Sequence, residues 1–175
     1  MAGGMPVKTI YLAGGCLWGV QRFFDQFEGV VETEVGYANG PTENPSYYKV
    51  CAGSGHAETL RLVYDETRIS LTQLLDYFFM AVDPLSVNRQ GPDAGLQYRS
   101  GVYYTESDQL PEIEARMQQE AEKLGQPLAV ELKPLANFYP AEENHQKYLE
   151  KNPGGYCHIP RSLLYLKDKE ANKDA

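Results

Sequence analysis

The period of apolar and polar positions changes several times along this chain, and each change marks an element. Thr9-Ile-Tyr-Leu-Ala13 is a short apolar run closed by Gly14-Gly15, as expected of a buried strand. Val20, Phe23, Phe24 and Phe27 then recur at helical spacing, with Gly29 where a C-terminal glycine belongs. Val31, Thr33, Val35 and Tyr37 alternate as a strand up to the turn at Asn39-Gly40-Pro41, and residues 41–55 read as loop. Glu58, Leu60, Leu62 and Tyr64 share one parity of the next strand. Ser70 and Gln73 form a capping box ahead of a helical stripe of Leu71, Leu74, Leu75, Phe78 and Phe79, which Pro84 stops.

Residues 83–99 have no periodicity and predict a long loop, which in a compact domain usually carries function or disorder. A strand over Gly101-Val-Tyr-Tyr104 follows. Leu110, Ile113, Met117, Ala121 and Leu124 then form a helix stripe ended by Gly125, and Leu128, Val130 and Leu132 alternate as a further strand. A short helix near 141–150 ends at Pro153-Gly-Gly155. The order β-α-β-β-α-β with an added α-β predicts an α+β protein, a ferredoxin-like split core with long loops and an extended C-terminal segment. No boundary, repeat or low-complexity stretch divides it. We expect a single catalytic domain over 1–175, with its core at about 8–151, a segment 152–175 carrying Cys157, and a mobile tail from 167.

Composition narrows the function classes. With 175 residues of which 42% are apolar, the chain is long enough for one real core. No apolar run approaches the roughly 18 residues of a membrane span, and the N-terminus lacks a basic region leading into an apolar one, so neither a membrane partner nor a secretory signal is expected. Twenty-four acidic against 16 basic residues, a net charge of -8, argue against nucleic acid as partner. Three widely spaced cysteines make no disulfide framework, and a reducing, cytoplasmic location is the simpler expectation.

Gly14-Gly-Cys-Leu-Trp-Gly19 is the most informative stretch. At a strand-to-helix turn the Cys16 sulfur faces unpaired N–H groups and the positive helix end, which favour thiolate, the nucleophilic form. Trp18, the only tryptophan, offers an apolar wall beside it. The plainer alternative makes Cys16 a small buried hydrophobe, with Trp18 as core and the glycines serving a tight turn. Glu58 shares a strand face with Leu60, Leu62 and Tyr64; if that face is the core, desolvation raises the carboxyl pKa and suits it to donate a proton. The alternative leaves it at a strand end in water. Asp93, Tyr98 and Arg99 fall close together in the long loop and Tyr47 in the earlier one. Cys157 lies in a Gly-Pro-rich segment able to move, whereas Cys51 reads as structural. His56, His145 and His158 are scattered, and no Cys-x-x-Cys or His-x-x-x-His pair suggests a metal.

Taken together, these pieces resemble a peptide methionine sulfoxide reductase of the A type, from about Ile10 to Tyr156. The matches are Gly15-Cys-Leu-Trp-Gly19, Gly36-Tyr-Ala38, Pro45-Ser-Tyr47, Gly55-His-Ala-Glu58, Asp93 through Gln97-Tyr-Arg-Ser100, and Asn137-Phe-Tyr-Pro-Ala-Glu-Glu-Asn-His-Gln146. The resemblance implies Cys16 as catalytic cysteine, Trp18 as a wall for the substrate methyl, and Glu58 as the acid that protonates the sulfoxide oxygen, with Tyr47 and Tyr98 as further donors. It implies Asp93 as a carboxylate bordering the site, and Tyr156 as the tyrosine preceding the resolving cysteine, Cys157. It further implies the S epimer of free or protein-bound methionine sulfoxide as substrate. A monomer recycled by thioredoxin, with no metal or organic cofactor, is also implied. Leu17 stands where the family usually has Phe, so the grip on the methyl is expected to be looser by about 1 kcal/mol.

Two rival readings use the same residues. One is a cysteine hydrolase built on Cys16, His56 and Asp93. The other is a methionine-binding module without chemistry, with Trp18 and the tyrosines as a cage.

Overall fold

A computed structural model describes residues 7–167. Six strands form one sheet in the order β7-β6-β1-β3-β2-β8, using β1 (Val7–Gly14), β2 (Val30–Ala38), β3 (Ala57–Asp65), β6 (Ser100–Tyr104), β7 (Glu131–Pro134) and β8 (Phe138–Pro140). Every neighbouring pair is antiparallel except β6 with β7. The inner order β6-β1-β3-β2 is the arrangement expected of the split β-α-β-β-α-β core. Alternation sorts each strand's side chains: Ile10, Leu12, Val35, Leu60 and Leu62 are fully buried in the main core. They pack with Phe23 and Phe24 of α1 (Leu17–Phe24) and Leu74, Leu75 and Phe78 of α3 (Leu71–Ala81). Ala13, Ala38, Ala57 and Tyr103 form a smaller cluster.

Local chemistry accounts for the ends of these elements. Ser70 and Gln73 close the expected capping box on α3, and Gly125, left-handed at φ 73°, terminates α4 (Leu110–Leu124). Gly29 does not cap α1. The helix ends at Asp25, and Gly29, at φ 94°, turns the chain into β2 where a Cβ would lie 2.6 Å from Ile69.

The expected strand at Leu128, Val130 and Leu132 starts instead at Glu131, because Arg99 and Tyr103 hold the Glu131 carboxylate opposite the start of β6. The loop at 41–55 contains α2 (Tyr47–Cys51), capped by Ser46, whose hydroxyl accepts from the Lys49 N–H. The loop at 83–99 holds a two-residue hairpin, β4 (Arg89–Gln90) with β5 (Asp93–Ala94), and a 3₁₀ turn at Leu96–Tyr98.

The helix expected near 141–150 is two pieces, a 3₁₀ turn at Glu143–His145 and α5 (Tyr148–Lys151). They are separated by Lys147, left-handed at φ 55°. Gln21 of α1 accepts from the Lys147 N–H at 2.8 Å, which fixes that break against the first helix. A last short helix, α6 (Arg161–Leu164), returns the chain to α1. The mobility expected of the tail concerns, after Lys167 itself, residues outside those described.

Candidate active site

The site forms where the N-terminus of α1 meets the helix-facing side of β3. Cys16 is the N-cap of α1 but makes no side-chain cap bond, so the first N–H groups of the helix are free for other partners. Leu17 N–H donates to Glu58 Oε1 at 3.1 Å, a buried bond across 41 residues. Glu58 stands opposite Tyr37 in the β2–β3 register, on the same face as Leu60 and Leu62. It is 1% exposed, and its second oxygen, Oε2, is buried without a hydrogen-bond partner. Burial pushes this carboxyl up to about 8, against the pull of Leu17 N–H, with the nearby Asp93 adding to the rise. Glu58 is thus a carboxylic acid that keeps its proton at neutral pH, as its parity on β3 suggests.

Cys16 departs from expectation. Burial, followed by the Glu58 carboxyl once it ionises, pushes the thiol well above its ordinary value, and the Trp18 N–H only partly offsets this. An eight-residue helix offers its half-dipole to a group that is 7% exposed, and desolvation outweighs it. The resting sulfur is therefore a protonated thiol beside a protonated acid, not the free thiolate that the helix position alone suggests.

The walls come from distant parts of the chain. Trp18 stacks on Tyr148 with ring centroids 3.8 Å apart, and its Nε1–H donates to His145 Nδ1 at 3.0 Å. Tyr47, at the start of α2, rests its ring 4.4 Å from that of His145 and donates its backbone N–H to Glu142 Oε2. Glu142 Oε1 in turn accepts from Tyr37. Leu17 is turned into the core, 1% exposed, and contributes its backbone rather than an open surface. Burial raises both Tyr47 and Tyr98, so both stay protonated donors, and Tyr98 is coupled to Glu58 and Cys16. Asp93 Oδ1 accepts from Tyr156 at 2.8 Å.

Cys157 packs over the first turn of α1, 2.9 Å from where a Gly19 Cβ would sit, and is close enough to Cys16 to bear on its charge. Cys51, expected to be structural, is an exposed free thiol at the end of α2, the helix that Tyr47 begins. Arg99 belongs to the frame, since its guanidinium bonds the Gly55, Leu96 and Asn39 carbonyls and Glu131. His56 is framework as well. Its ring nitrogens engage Ser54 Oγ and the Thr42 carbonyl, both at 2.9 Å, which leaves neither for a hydrolase triad.

The family model described as peptide methionine sulfoxide reductase matches residues 8–174. The chain belongs to this family, in its A type. It is 51% identical over 159 residues to the peptide methionine sulfoxide reductase MsrA of Clostridium acetobutylicum, covering 90% of this chain and 98% of that protein. Among solved structures it resembles Mxr1 from Saccharomyces cerevisiae in reduced form, with TM-score 0.84, 38% identity and coverage of 91% and 94% of the two chains. Mxr1 in complex with Trx2 matches at TM-score 0.59 and 26% identity, over 85% of this chain and 88% of that one.

As a peptide methionine sulfoxide reductase the protein is an oxidoreductase that performs thiol-dependent reduction of methionine sulfoxide. Neither the hydrolase nor the binding-module reading is favoured. Among the described residues, no group of three or more His, Cys, Asp or Glu is placed to hold a metal ion, and no helix is long and apolar enough to cross a membrane.

Proposed function

We propose that Cys16 is the nucleophile of this reductase, Glu58 its proton donor and Cys157 its resolving thiol, acting on the S epimer of free or protein-bound methionine sulfoxide. The observation that carries the reading is the bare Oε2 of Glu58. It is a buried acid oxygen without a partner, on a carboxyl fixed through Oε1 and beside the thiol. A sulfoxide oxygen is the acceptor such a group lacks, and a sulfoxide sulfur becomes electrophilic only when its oxygen is protonated or strongly hydrogen-bonded.

Glu58 gives its proton to that oxygen with Tyr47 and Tyr98 as flanking donors, while the Cys16 sulfur attacks the sulfoxide sulfur. The hydroxyl then passes to the Cys16 sulfur as the sulfoxide S–O bond and the transient S–S bond break, methionine leaves, the thiol proton replaces the one Glu58 gave, and Cys16 is left as sulfenic acid. Trp18 forms the apolar wall for the methyl, with Leu17 beneath the turn in place of the usual Phe and Asp93 and Tyr156 bordering the mouth.

Cys157 then displaces the sulfenic oxygen as water and forms a disulfide with Cys16. A thioredoxin-type dithiol reduces it, a role supported by the solved complex of Mxr1 with Trx2. No metal or organic cofactor enters this cycle. We further propose a monomer working in the cytoplasm, where three free thiols stay reduced.

The test supplies each epimer of N-acetyl-methionine sulfoxide with dithiothreitol and quantifies N-acetyl-methionine by chromatography. Reduction of the S epimer alone is expected. Equal consumption of both epimers would remove the assignment of stereochemistry, and turnover by Cys16→Ser would remove the nucleophile.

A further inference from the structure

The residue after the resolving cysteine is built into the site more deeply than the cysteine itself. The His158 side chain is 2% exposed, and its Nε2–H donates to the Gly14 carbonyl at 3.0 Å, two residues before Cys16. It lies on bare backbone. A Cβ at Gly15 would come 2.7 Å from His158 Nε2, and one at Gly19 would meet Cys157 Sγ at 2.9 Å and His158 Nδ1 at 3.3 Å. The Gly-Gly-Cys turn and the first turn of α1 thus make a seat shaped for these two neighbouring side chains.

Asp93 holds the segment from the other side. Its Oδ1 takes the Tyr156 hydroxyl at 2.8 Å, and its Oδ2 faces His158 Nδ1 at 3.9 Å. Those last two atoms are both buried and both without a partner, too far apart for a hydrogen bond. The two flanks of Cys157 are therefore held unequally, firmly through the Gly14 and Tyr156 bonds and with no bond between His158 Nδ1 and Asp93 Oδ2.

We propose that His158 is a positioning residue for the resolving step: anchored on Gly14 and faced by Asp93, it seats Cys157 over the start of α1 so that its thiol meets the Cys16 sulfenic acid. The inference rests on Cys157 being the resolving thiol. In that step the Cys157 sulfur bonds to the Cys16 sulfur, the S–O bond of the sulfenic acid breaks, and the oxygen departs as water with the Cys157 proton. His158 touches neither the sulfoxide nor its oxygen, so reduction of substrate does not depend on it. The unbonded side suits a segment that must afterwards present its disulfide to an external dithiol.

The experiment is a single turnover without external reductant, following both methionine release and loss of free thiol by rapid quench. For His158→Ala we expect methionine release within about twofold of the parent and disulfide formation slowed by about tenfold or more, the size of effect that misplacement of a reacting group produces. His158→Gln keeps an N–H for Gly14 and is expected to recover most of the second rate without altering the first. Disulfide formation at the parental rate in His158→Ala, or equal loss of both steps in both variants, would overturn the proposal. Cys157→Ser runs alongside: one methionine and no Cys16 disulfide is the required result. A disulfide in that variant removes the resolving role and the inference with it, whereas a fast His158→Ala beside a blocked Cys157→Ser removes the positioning role alone.

Discussion

Replacing Glu58 by glutamine separates stability from function at one position. Burial raises this carboxyl to about 8 from an ordinary value of 4.5. Between those values the folded protein holds a proton that the unfolded chain has released, so stability falls as pH rises, by about 1.4 kcal/mol per pH unit for this group. The accumulated cost is under about 1 kcal/mol at pH 5, about 3 kcal/mol at pH 7, and levels off near about 5 kcal/mol above the folded value. Glutamine is neutral throughout, nearly the same shape, and its amide oxygen can keep the bond from Leu17 N–H.

Glu58→Gln should therefore be more stable than the parent by about 3 kcal/mol at pH 7, roughly 6–12 °C in Tm for a domain of this size. The gap should close to about 1 kcal/mol at pH 5. The same variant should lose about 10²- to 10⁴-fold in activity, the range of a removed general acid. Denaturant unfolding of both proteins, reduced, at the two pH values measures the gap directly. A difference that does not change with pH, or a glutamine variant that is less stable at pH 7, would refute the account of Glu58 as a desolvated acid.

Three further outcomes follow from the same geometry. The kcat/KM for sulfoxide should fall as pH rises through about 8, because the protonated form of Glu58 is the working one and is lost there; a profile rising through that range would contradict it. Gly19→Ala puts a methyl 2.9 Å from the Cys157 sulfur, so disulfide formation should slow by about tenfold while methionine release per enzyme is kept, read by thiol titration against chromatography. Trp18→Phe removes the donor to His145 and part of the apolar wall; the loss of about 1 kcal/mol should raise KM about fivefold, and an unchanged KM would remove Trp18 from the pocket.

The parts of the fold legible in the sequence are those held by local rules. The parity of Glu58 with Leu60 and Leu62, the Ser70–Gln73 capping box and the left-handed Gly125 each depend on neighbours a few residues away. What escaped depends on contacts made across the chain. β8 is three residues ending in Pro140, and it exists because Asn39 and Asn137 exchange hydrogen bonds across the connection: the Asn39 N–H donates to the Asn137 carbonyl, and Asn137 bonds both backbone groups of Gly40. β7 shifted because Arg99 and Tyr103 fix Glu131, a pairing that no alternation of Leu128, Val130 and Leu132 encodes.

The site divides the same way. Cys16, Trp18 and Glu58 announce themselves through turn position and strand parity. Glu142 and His145, which brace Tyr47 and Trp18, carry no local signal; the one hint was their place in the run Asn137–Gln146. Helix position also misjudged the Cys16 thiol, because burial, the stronger influence, belongs to the assembled fold.

The central claim, that oxygen passes to Cys16 and that Cys157 then closes the cycle, is tested most directly by peptide mapping. The reduced enzyme is treated with one equivalent of the S sulfoxide, without reductant, and its cysteines are mapped by mass spectrometry. One methionine per enzyme, a Cys16–Cys157 disulfide and a free Cys51 thiol are the predicted result. Methionine formed with Cys16 still reduced, or Cys16 joined instead to Cys51 beside Tyr47, would contradict it.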